Sequence, residues 1–448
     1  MSARNRELFA LIPVALLVTA GFAAVFAVNA DEISDASLVF GGYFLAICVA
    51  THLFLRITLP NADPYLFPLC AALAAVGLVV LYRIDETLAV EQATVFLLGL
   101  GAFAATIVFL RDYHVLERYR YLIALGSLAL LLAPRIPGLG EQVNGAYLAV
   151  DLGPLSFQPA EIAKIGVVIF LASYLHEKRE LLSVAARRIA GLTIPPLKHF
   201  GPLLVVWGAA MVMLVFIRDL GSSLMFFGAF LALVYVATNR FSYVVVGLIL
   251  FFAGAAFFAG TVGHVQDRID IWLDPFGPDP LDRGLQIRNS MFAQADGGLF
   301  GEGLGQTLLN PSNQFIAESC AGGFPFCGSI LPEPHTDFIY AVVVAEVGLF
   351  GACGVLACYL LVGARGFKAA VMAPDGFSKL LATGLTAVFC LQAFVIIGGV
   401  VKLIPLTGVT LPFISFGGSS IVANMVLLAL LLLVSDRARQ PQPGEAGP

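Results

Sequence analysis

One acidic residue, Asp337, ends a long polar segment and comes directly before a strongly apolar one. At the start of a helix beside a lipid bilayer, the helix dipole favours the ionised carboxylate and the low dielectric opposes it. A carboxylate in such a position can serve as a general base that takes the proton of a reacting hydroxyl. The alternative is an ordinary helix cap, which either Asp337 or Thr336 could provide.

Two opposite charges, Glu161 and Lys164, lie three residues apart at the start of another apolar segment, behind Pro159. Pro suits the first turn of a helix, and this spacing places both charged side chains on one face, where they can pair. A charge at the centre of a membrane costs about 2.5–3.5 kcal/mol, whereas an exposed helical pair contributes only about 0.2–0.5 kcal/mol. The pair is therefore either a structural bridge near the end of a span or part of a polar cavity.

Further cations fall beside the ends of apolar segments on the same predicted side of the membrane. Arg218 lies in a tight turn between two such segments, and Lys402 lies just beyond another. Snorkelling at the interface explains either one alone. Together with Lys164 and three arginines of the long polar segment, they suit an anionic ligand, above all a phosphate. The three arginines are Arg268, Arg283 and Arg288.

The composition is that of a polytopic membrane protein, with 448 residues, 59% hydrophobic and 12% charged, and a mean hydropathy of +0.90. A membrane-spanning helix needs about 20 apolar residues, and this rule predicts an all-α fold with about twelve spans. The predicted spans are 8–30, 36–55, 64–82, 92–110, 121–134, 160–176, 200–217, 222–238, 242–262, 337–362, 380–400 and 417–435. The composition excludes a soluble domain, and no Walker loop or other feature indicates a nucleotide or nucleic-acid partner.

Basic residues fall in alternate connections between the spans, and the positive-inside rule places those connections and both termini in the cytoplasm. The first span lacks a small-residue cleavage site, so we expect it to be retained. The opposite side carries one long loop, 263–336, which contains Cys320 and Cys327. In an oxidising compartment these two can form a disulfide, and the alternative is two free thiols.

Two other segments have a distinctive composition. The Gly-rich stretch from Gly297 to Gly305 follows no predicted strand, so we expect close packing or a re-entrant turn rather than a nucleotide loop. Residues 438–448, rich in Pro, Gln and Gly, are expected to form a disordered cytoplasmic tail.

The motifs, taken in chain order, resemble those of the SEDS (shape, elongation, division and sporulation) family, of RodA/FtsW type. The resemblance covers residues 64–437 and is carried by Phe157–Lys164, Asp219–Gly221, Trp272–Pro275, Pro334–Phe338, and Ile404–Gly408 leading to Ser415–Ser419. The family core has about ten spans, which would make residues 1–60 an accessory N-terminal pair typical of a longer, RodA-like branch. The core would then be residues 64–437, with the extracytoplasmic loop 263–336.

This resemblance implies a peptidoglycan glycosyltransferase of the bacterial cytoplasmic (inner) membrane, which polymerises lipid II at the outer face for cell elongation or division. Transfer would be of inverting type with release of undecaprenyl pyrophosphate, and a class B penicillin-binding protein would crosslink the product. The family's catalytic acid corresponds to Asp337. The chain departs from the family after Asn144-Gly145-Ala146, where members commonly carry Arg and Trp, and the region from Cys320 to Cys327 looks like an insertion.

Such a reaction needs a base for the attacking sugar hydroxyl and cations for the departing pyrophosphate. The expected roles are a base at Asp337, tuned by His335, and electrophilic cations at Arg218, Lys164 and Lys402, with Glu161 orienting Lys164. A divalent cation, Mg²⁺ or Mn²⁺, is the one cofactor considered, and no cluster of ligands in the sequence marks its site. Two other classes of function stay open: a lipid II transporter, which is expected to show inverted repeats, and a noncatalytic scaffold, which would not need Asp337.

Overall fold

A computed structural model describes most of the chain: residues 3–30, 35–136, 140–143, 146–151, 156–184, 187–189, 192–194, 220–261, 263–277, 284–307, 331 and 333–440. The described part is dominated by long apolar helices, as expected for a multi-pass membrane protein, because a spanning helix satisfies its own backbone hydrogen bonds. The first seven helices are α1 (Ala3–Ala30), α2 (Asp35–Thr58), α3 (Leu66–Ile84), α4 (Glu86–Phe109), α5 (Val115–Arg118), α6 (Arg120–Leu132) and α7 (Pro159–Val184). The next seven are α8 (Leu220–Thr238), α9 (Phe241–Thr261), α10 (Gly263–Leu273), α11 (Leu285–Gly297), α12 (Ile339–Met372), α13 (Gly376–Val400) and α14 (Gly418–Ala438).

Ten of the described helices are long and apolar enough to cross a membrane. Of the twelve predicted spans, 121–134 corresponds to α6, which has 13 residues and is continued by a short 3₁₀ turn, Ala133–Arg135. The predicted span 200–217 lies outside the described residues. The count of twelve therefore stays a prediction.

The connections contain regular structure that the sequence patterns did not predict. Three antiparallel strands, β1 (Gly140–Val143), β2 (Ala146–Asp151) and β3 (Ser156–Phe157), join α6 to α7. Two more, β4 (Arg187–Ile189) and β5 (Leu192–Ile194), follow α7. The predicted long loop 263–336 contains α10 and α11 in its described part, because helices and strands pair backbone groups that an irregular loop would leave to water.

The centre of the bundle is formed by α13 and α14, the most buried of the candidate spans. Small residues permit the close helix contacts that drive association in lipid. A Cβ added to Gly384 of α13 would overlap Val168 of α7, and one added to Gly366 of α12 would overlap Thr386 of α13. Helix α7, which carries Glu161 and Lys164, and helix α12, which follows Asp337, therefore both pack against α13.

At the end of the bundle away from Asp337, buried charges fasten the N-terminal helices to the core. Asp63, which is fully buried, pairs with Arg365 of α12 and Arg439 after α14. On α1, Arg4 pairs with Glu7, which also contacts His52 of α2 at 2.8 Å. Because Arg4 donates to the carbonyl of Ala62 as well, the α1–α2 pair is anchored beside the same core turn.

The longest helix, α12, is broken at Gly348, whose φ of 67° and ψ of −172° are not helical. The Gly-rich stretch fills this break with main-chain hydrogen bonds, from Glu302 N to Ala345 O and from Leu349 N to Gly298 O, each 3.0 Å long. A Cβ on Gly301 would overlap the backbone of Glu346. Close packing, as the sequence indicated, is therefore the role of these glycines.

Candidate functional site

Two segments meet at the end of the bundle where α12 begins. The motif segment, residues 333–338, contacts the connection between α13 and α14, which we call the 401–417 loop. Ser415 donates its hydroxyl to the carbonyl of Thr336 at 2.7 Å, and the backbone N–H of Phe416 donates to the carbonyl of His335 at 2.8 Å. The two motifs, about seventy residues apart in sequence, thus form one continuous surface.

Asp337 does not cap α12. The N-cap position is Phe338, and no side chain caps the helix. Thr336 turns back to Glu333 instead, and the Asp337 carboxylate accepts no hydrogen bond from any residue that the structure describes. The cap alternative is therefore not what the structure shows, and the Asp337 carboxylate is left available to a substrate.

The surroundings of Asp337 favour its protonated form. Burial raises the pKa of Asp337 to about 6, the positive charge of Arg268 opposes this rise, and the negative charge of Glu333 adds to it. Gly408 faces the carboxylate, since a Cβ built on it would lie 3.8 Å from Asp337 Oδ2. The residue is half-buried, and at neutral pH its side chain is mostly ionised and only partly hydrated, which suits a general base.

Strained backbone is concentrated around this acid. Four non-glycine residues in the described part of the chain have left-handed φ angles, and three of them belong to the two segments of the site. These are Glu333 (53°), Lys402 (60°) and Phe413 (66°). Such conformations cost of order 1–3 kcal/mol and persist where the surrounding structure enforces them, often at functional sites.

Two side chains of helix α10 hold the 401–417 loop by hydrogen bonds to its backbone. Arg268 donates from Nη1 to the carbonyl of Leu406 at 2.6 Å, and Trp272 donates from Nε1 to the carbonyl of Lys402 at 3.1 Å. The two residues are four apart, so they project from the same face of the helix. In the sequence Arg268 was only one of several outer cations; among the described residues it is the cation whose charge lowers the pKa of Asp337.

Glu161 and Lys164 do pair, and both are buried. Lys164 Nζ lies 2.5 Å from Glu161 Oε2, 2.6 Å from Gln392 Oε1 and 3.2 Å from Asn424 Oδ1. These acceptors occupy all three N–H groups of the ammonium. With no N–H left for a ligand, the arrangement supports a positioning role for Lys164 rather than direct contact with an anion.

The Lys164 network reaches the 401–417 loop through Thr410. Gln392 donates from Nε2 to the carbonyl of Thr410 at 2.9 Å and to Glu161 Oε1 at 3.2 Å, and the Thr410 hydroxyl lies 3.5 Å from the same carboxylate oxygen. Gln392 and Asn424 were missed by the sequence analysis. They are polar residues within apolar spans, and that signal could have identified them.

A second buried network braces the first part of α12. Arg83, at the end of α3, forms an ion pair with Glu346 and donates from Nη2 to the carbonyl and hydroxyl oxygens of Thr307, at 3.1 and 3.0 Å. The Thr307 hydroxyl donates to Glu346 Oε1 at 3.0 Å. This Arg83–Glu346 clamp holds the residues that follow Asp337 against α3. Glu346, an acid in an apolar helix, was also missed by the sequence analysis.

The remaining predicted residues have different outcomes. His335 lies with Nε2 3.6 Å from Glu333 and its ring against Phe416, and no described contact joins it to Asp337. Lys402 is half-buried, and its backbone carbonyl accepts the hydrogen bond from Trp272. Arg218, Cys320 and Cys327 lie outside the described residues, as do Asn144 and Gly145.

The described residues provide no group of three or more His, Cys, Asp or Glu that could hold a metal ion. The hydroxyl of Thr407, which precedes Gly408 in the 401–417 loop, is buried and has no hydrogen-bond partner among the described residues. It lies near Gly221 of α8, since a Cβ built on Gly221 would be 3.3 Å from it.

The chain is similar to proteins that are named as cell cycle proteins and as peptidoglycan glycosyltransferases. The family model for FtsW, RodA and SpoVE, described as cell cycle protein, matches residues 64–440. The peptidoglycan glycosyltransferase RodA of Mycobacterium tuberculosis is 38% identical over 452 residues, covering 98% of this chain and 92% of the relative.

Solved structures agree with the sequence matches. A chain of a peptidoglycan synthase complex, reported for its structural coordination of polymerization and crosslinking, superimposes with a TM-score of 0.63 at 27% identity. That match covers 85% of this chain and 99% of the other. The rod shape determining protein RodA of Thermus thermophilus has a TM-score of 0.58 at 26% identity, covering 85% and 98% of the two chains.

Proposed function

Because the chain belongs to the FtsW, RodA and SpoVE family of cell cycle proteins, we propose that it is a peptidoglycan glycosyltransferase that polymerises lipid II. The observation that carries the proposal is the carboxylate of Asp337, which has no hydrogen-bond partner among the described residues and whose pKa is raised to about 6, in the motif segment near Arg268. An acid without a structural hydrogen bond, held in an only partly hydrated place, is what general base catalysis needs.

In the proposed reaction, a sugar hydroxyl of one substrate attacks the anomeric carbon of another. Asp337 takes the hydroxyl proton as the new glycosidic bond forms, and the bond to undecaprenyl pyrophosphate breaks with inversion. The proton then leaves Asp337 for water. A base of this kind contributes about 10²- to 10⁴-fold to a rate.

Cations would stabilise the departing pyrophosphate. Arg268 spends only one described hydrogen bond on Leu406, so its remaining N–H groups can bind phosphate oxygens, to which a guanidinium is well matched. Lys402 and Arg218 are proposed to assist, and Lys164 and Glu161 to act through the position of the 401–417 loop. His335 is proposed to orient the motif segment through its backbone contact with Phe416. No step is assigned to a divalent cation.

The protein's location and partners are proposed from its basic connections and from its likeness to a chain of a peptidoglycan synthase complex. The basic connections favour a bacterial cytoplasmic membrane with both termini inside and Asp337 at the outer face. A class B penicillin-binding protein is the proposed partner, supported by the likeness to a chain of a peptidoglycan synthase complex. Residues 1–60 are proposed as an accessory pair, 64–437 as the catalytic core with the loop 263–336, and 438–448 as a tail.

The decisive experiment is polymerisation of lipid II by the purified protein and its Asp337→Asn variant, with the partner present. We expect long glycan strands from the wild type and at least about a hundredfold less from the variant. Asp85→Asn is the matched control, since Asp85 also lies at a helix start but caps α4 by accepting from Thr87 N at 2.7 Å. A folded Asp337→Asn variant with normal activity would exclude the proposed base, and lipid II translocation without polymer would favour the transporter.

A further inference from the structure

An apolar groove of about 720 Å³ lies between α1, α3 and α12. Helix α3 packs against both of the others and forms the floor, while α1 and α12 form the walls. Its lining has no charged residue. Leu16, on the α1 wall, is 66% exposed, so this face has no protein neighbour within the described residues.

The groove begins close to Asp337. Its outer end is lined by Val343 and Val347, which belong to the first part of α12. Val343 follows Asp337 by six residues, or about 9 Å of helical rise. The lining continues along α12 to Cys358. The groove therefore extends from near the level of Asp337 into the part of the bundle that lies in the hydrocarbon region of the membrane.

The dimensions fit a single extended chain better than a helix. From Val343 to Cys358 the groove extends about 22 Å along α12. Its volume of about 720 Å³ then gives a mean cross-section of about 33 Å². An α-helix with side chains, at least about 10 Å across, has a cross-section of about 80 Å². A partner helix could therefore seat only part of its width in the groove, whereas a hydrocarbon chain fits within it and can contact both walls.

We propose that this groove binds the polyprenyl tail of the lipid-linked sugar substrate, with the accessory helix α1 as one wall. The inference rests on the proposed function and deepens it by locating the apolar part of the substrate. Burial against valine and leucine side chains holds the tail through dispersion contacts, and the pyrophosphate is left at the outer end near Arg268. The proposal also gives the N-terminal pair a role in substrate binding.

A filling substitution tests the groove without disturbing the fold. A Cβ added to Gly354, which lines the groove, would meet nothing within 4 Å, so Gly354→Leu should fold and occupy the space. Gly101→Leu on α4 is the matched control, since its Cβ also meets nothing within 4 Å and it is exposed on a helix that does not line the groove. Both changes add the same side chain to an exposed helix surface.

We expect Gly354→Leu to raise the KM for full-length lipid II at least about fivefold with little change in kcat, since it removes binding energy from an unreactive part of the substrate. A lipid II analogue with a short prenyl tail should lose this difference. Gly101→Leu should match the wild type. Equal KM values for the two variants would overturn the proposal.

A second measurement does not depend on catalysis. A polyprenyl pyrophosphate carrying a diazirine in its tail is irradiated with the purified protein, and labelled peptides are located by mass spectrometry. Labels on α1 and on residues 343–358, reduced in Gly354→Leu, are expected. Labelling confined to other helices would overturn the groove proposal even if the protein polymerises lipid II, whereas an inactive protein with labelled groove would count against the proposed function alone.

Discussion

Arg268 donates a 2.6 Å hydrogen bond to the carbonyl of Leu406, and its charge also stabilises the ionised form of Asp337. One side chain thus fixes the 401–417 loop and lowers the pKa of the proposed base. The loop position and the proton affinity of the site are therefore coupled.

The rate of polymerisation should follow the ionised fraction of Asp337. Because only the carboxylate accepts a proton, the rate should rise with pH, reach half its plateau near pH 6, and be about tenfold below the plateau at pH 5. Arg268→Gln should move the midpoint to higher pH, since it removes the charge that lowers the pKa. Arg288→Gln, whose side chain bonds the carbonyl of Pro275 at 2.9 Å, should leave the midpoint in place. An unshifted midpoint in Arg268→Gln would show that Arg268 does not act on the base.

Stability should depend on the same acid in the opposite sense. The pKa of Asp337 is about 6 in the folded protein, above the ordinary aspartate pKa of 3.8, so the folded protein binds the proton more tightly than the unfolded chain. The stabilisation is fully present below about pH 4 and is lost as pH rises through 6. Asp337→Asn removes the desolvated charge, and its Tm at pH 7 should exceed that of the wild type. Thermal melts of both proteins from pH 5 to 8 should converge at the acidic end.

The Lys164 network is expected to act through position. Lys164→Met leaves Glu161 buried without its cation, so stability should fall by about 3–5 kcal/mol and polymerisation should drop with it. The double variant with Glu161→Gln removes both charges and should recover much of the stability and part of the rate. If Lys164 bound pyrophosphate directly, the double variant would be stable yet as inactive as the single one. Thermal melts and strand synthesis on the same preparations distinguish the two cases.

The Arg83–Glu346 clamp should matter for rate as well as stability. Glu346→Gln and Arg83→Gln each break a fully buried ion pair and should cost about 3–5 kcal/mol. Both should also lower kcat, because the clamp holds the segment that follows Asp337. Glu177→Gln disrupts exposed pairs with Lys178 and Arg120 and should leave both the Tm and kcat nearly unchanged. A kcat that is unaffected in a clamp variant still folded at the assay temperature would limit the clamp to a structural role.

Cys320 and Cys327 are predicted to form a disulfide, since the positive-inside rule predicts that both lie on the outer side. The closed loop is short, and the bond should contribute about 2.5 kcal/mol on the chain-entropy estimate. Peptide mass analysis of membranes kept oxidised, with and without reduction, tests the bond. Recovery of both cysteines as free thiols would reject the disulfide. If the bond is present, Cys320→Ser alone should lower the Tm.

Local spacing was enough to predict some of the site. Asp337 at the start of a helix and the pairing of Glu161 with Lys164 are short-range features, and both are present. The partners that complete the networks are distant in sequence, as Gln392 is from Lys164, and no local pattern indicates which spans pack together. Arg268 was recognised as an outer cation, but its action on Asp337 depends on how α10 lies against the 401–417 loop.

The break in α12 could not be predicted from the pattern of apolar residues either. Predicted span 337–362 corresponds to a helix of 34 residues interrupted at Gly348. The interruption depends on the Gly-rich stretch some fifty residues earlier, which supplies the replacement hydrogen bonds. A hydropathy window registers only that Gly348 sits among apolar residues.

The break at Gly348 divides α12 into a short outer part, residues 339–347, which we call the arm, and a longer transmembrane part, residues 349–372, which we call the shaft. An unbroken helix would carry any tilt of the shaft rigidly to its tip. Here the shaft meets the arm through a joint of main-chain hydrogen bonds to the Gly-rich stretch, each worth only about 0.5–1.5 kcal/mol. Because the residues between Asp337 and Gly348 are bonded to the Gly-rich stretch, we expect the position of Asp337 to change less than that of the rest of α12 when the bilayer thickness changes.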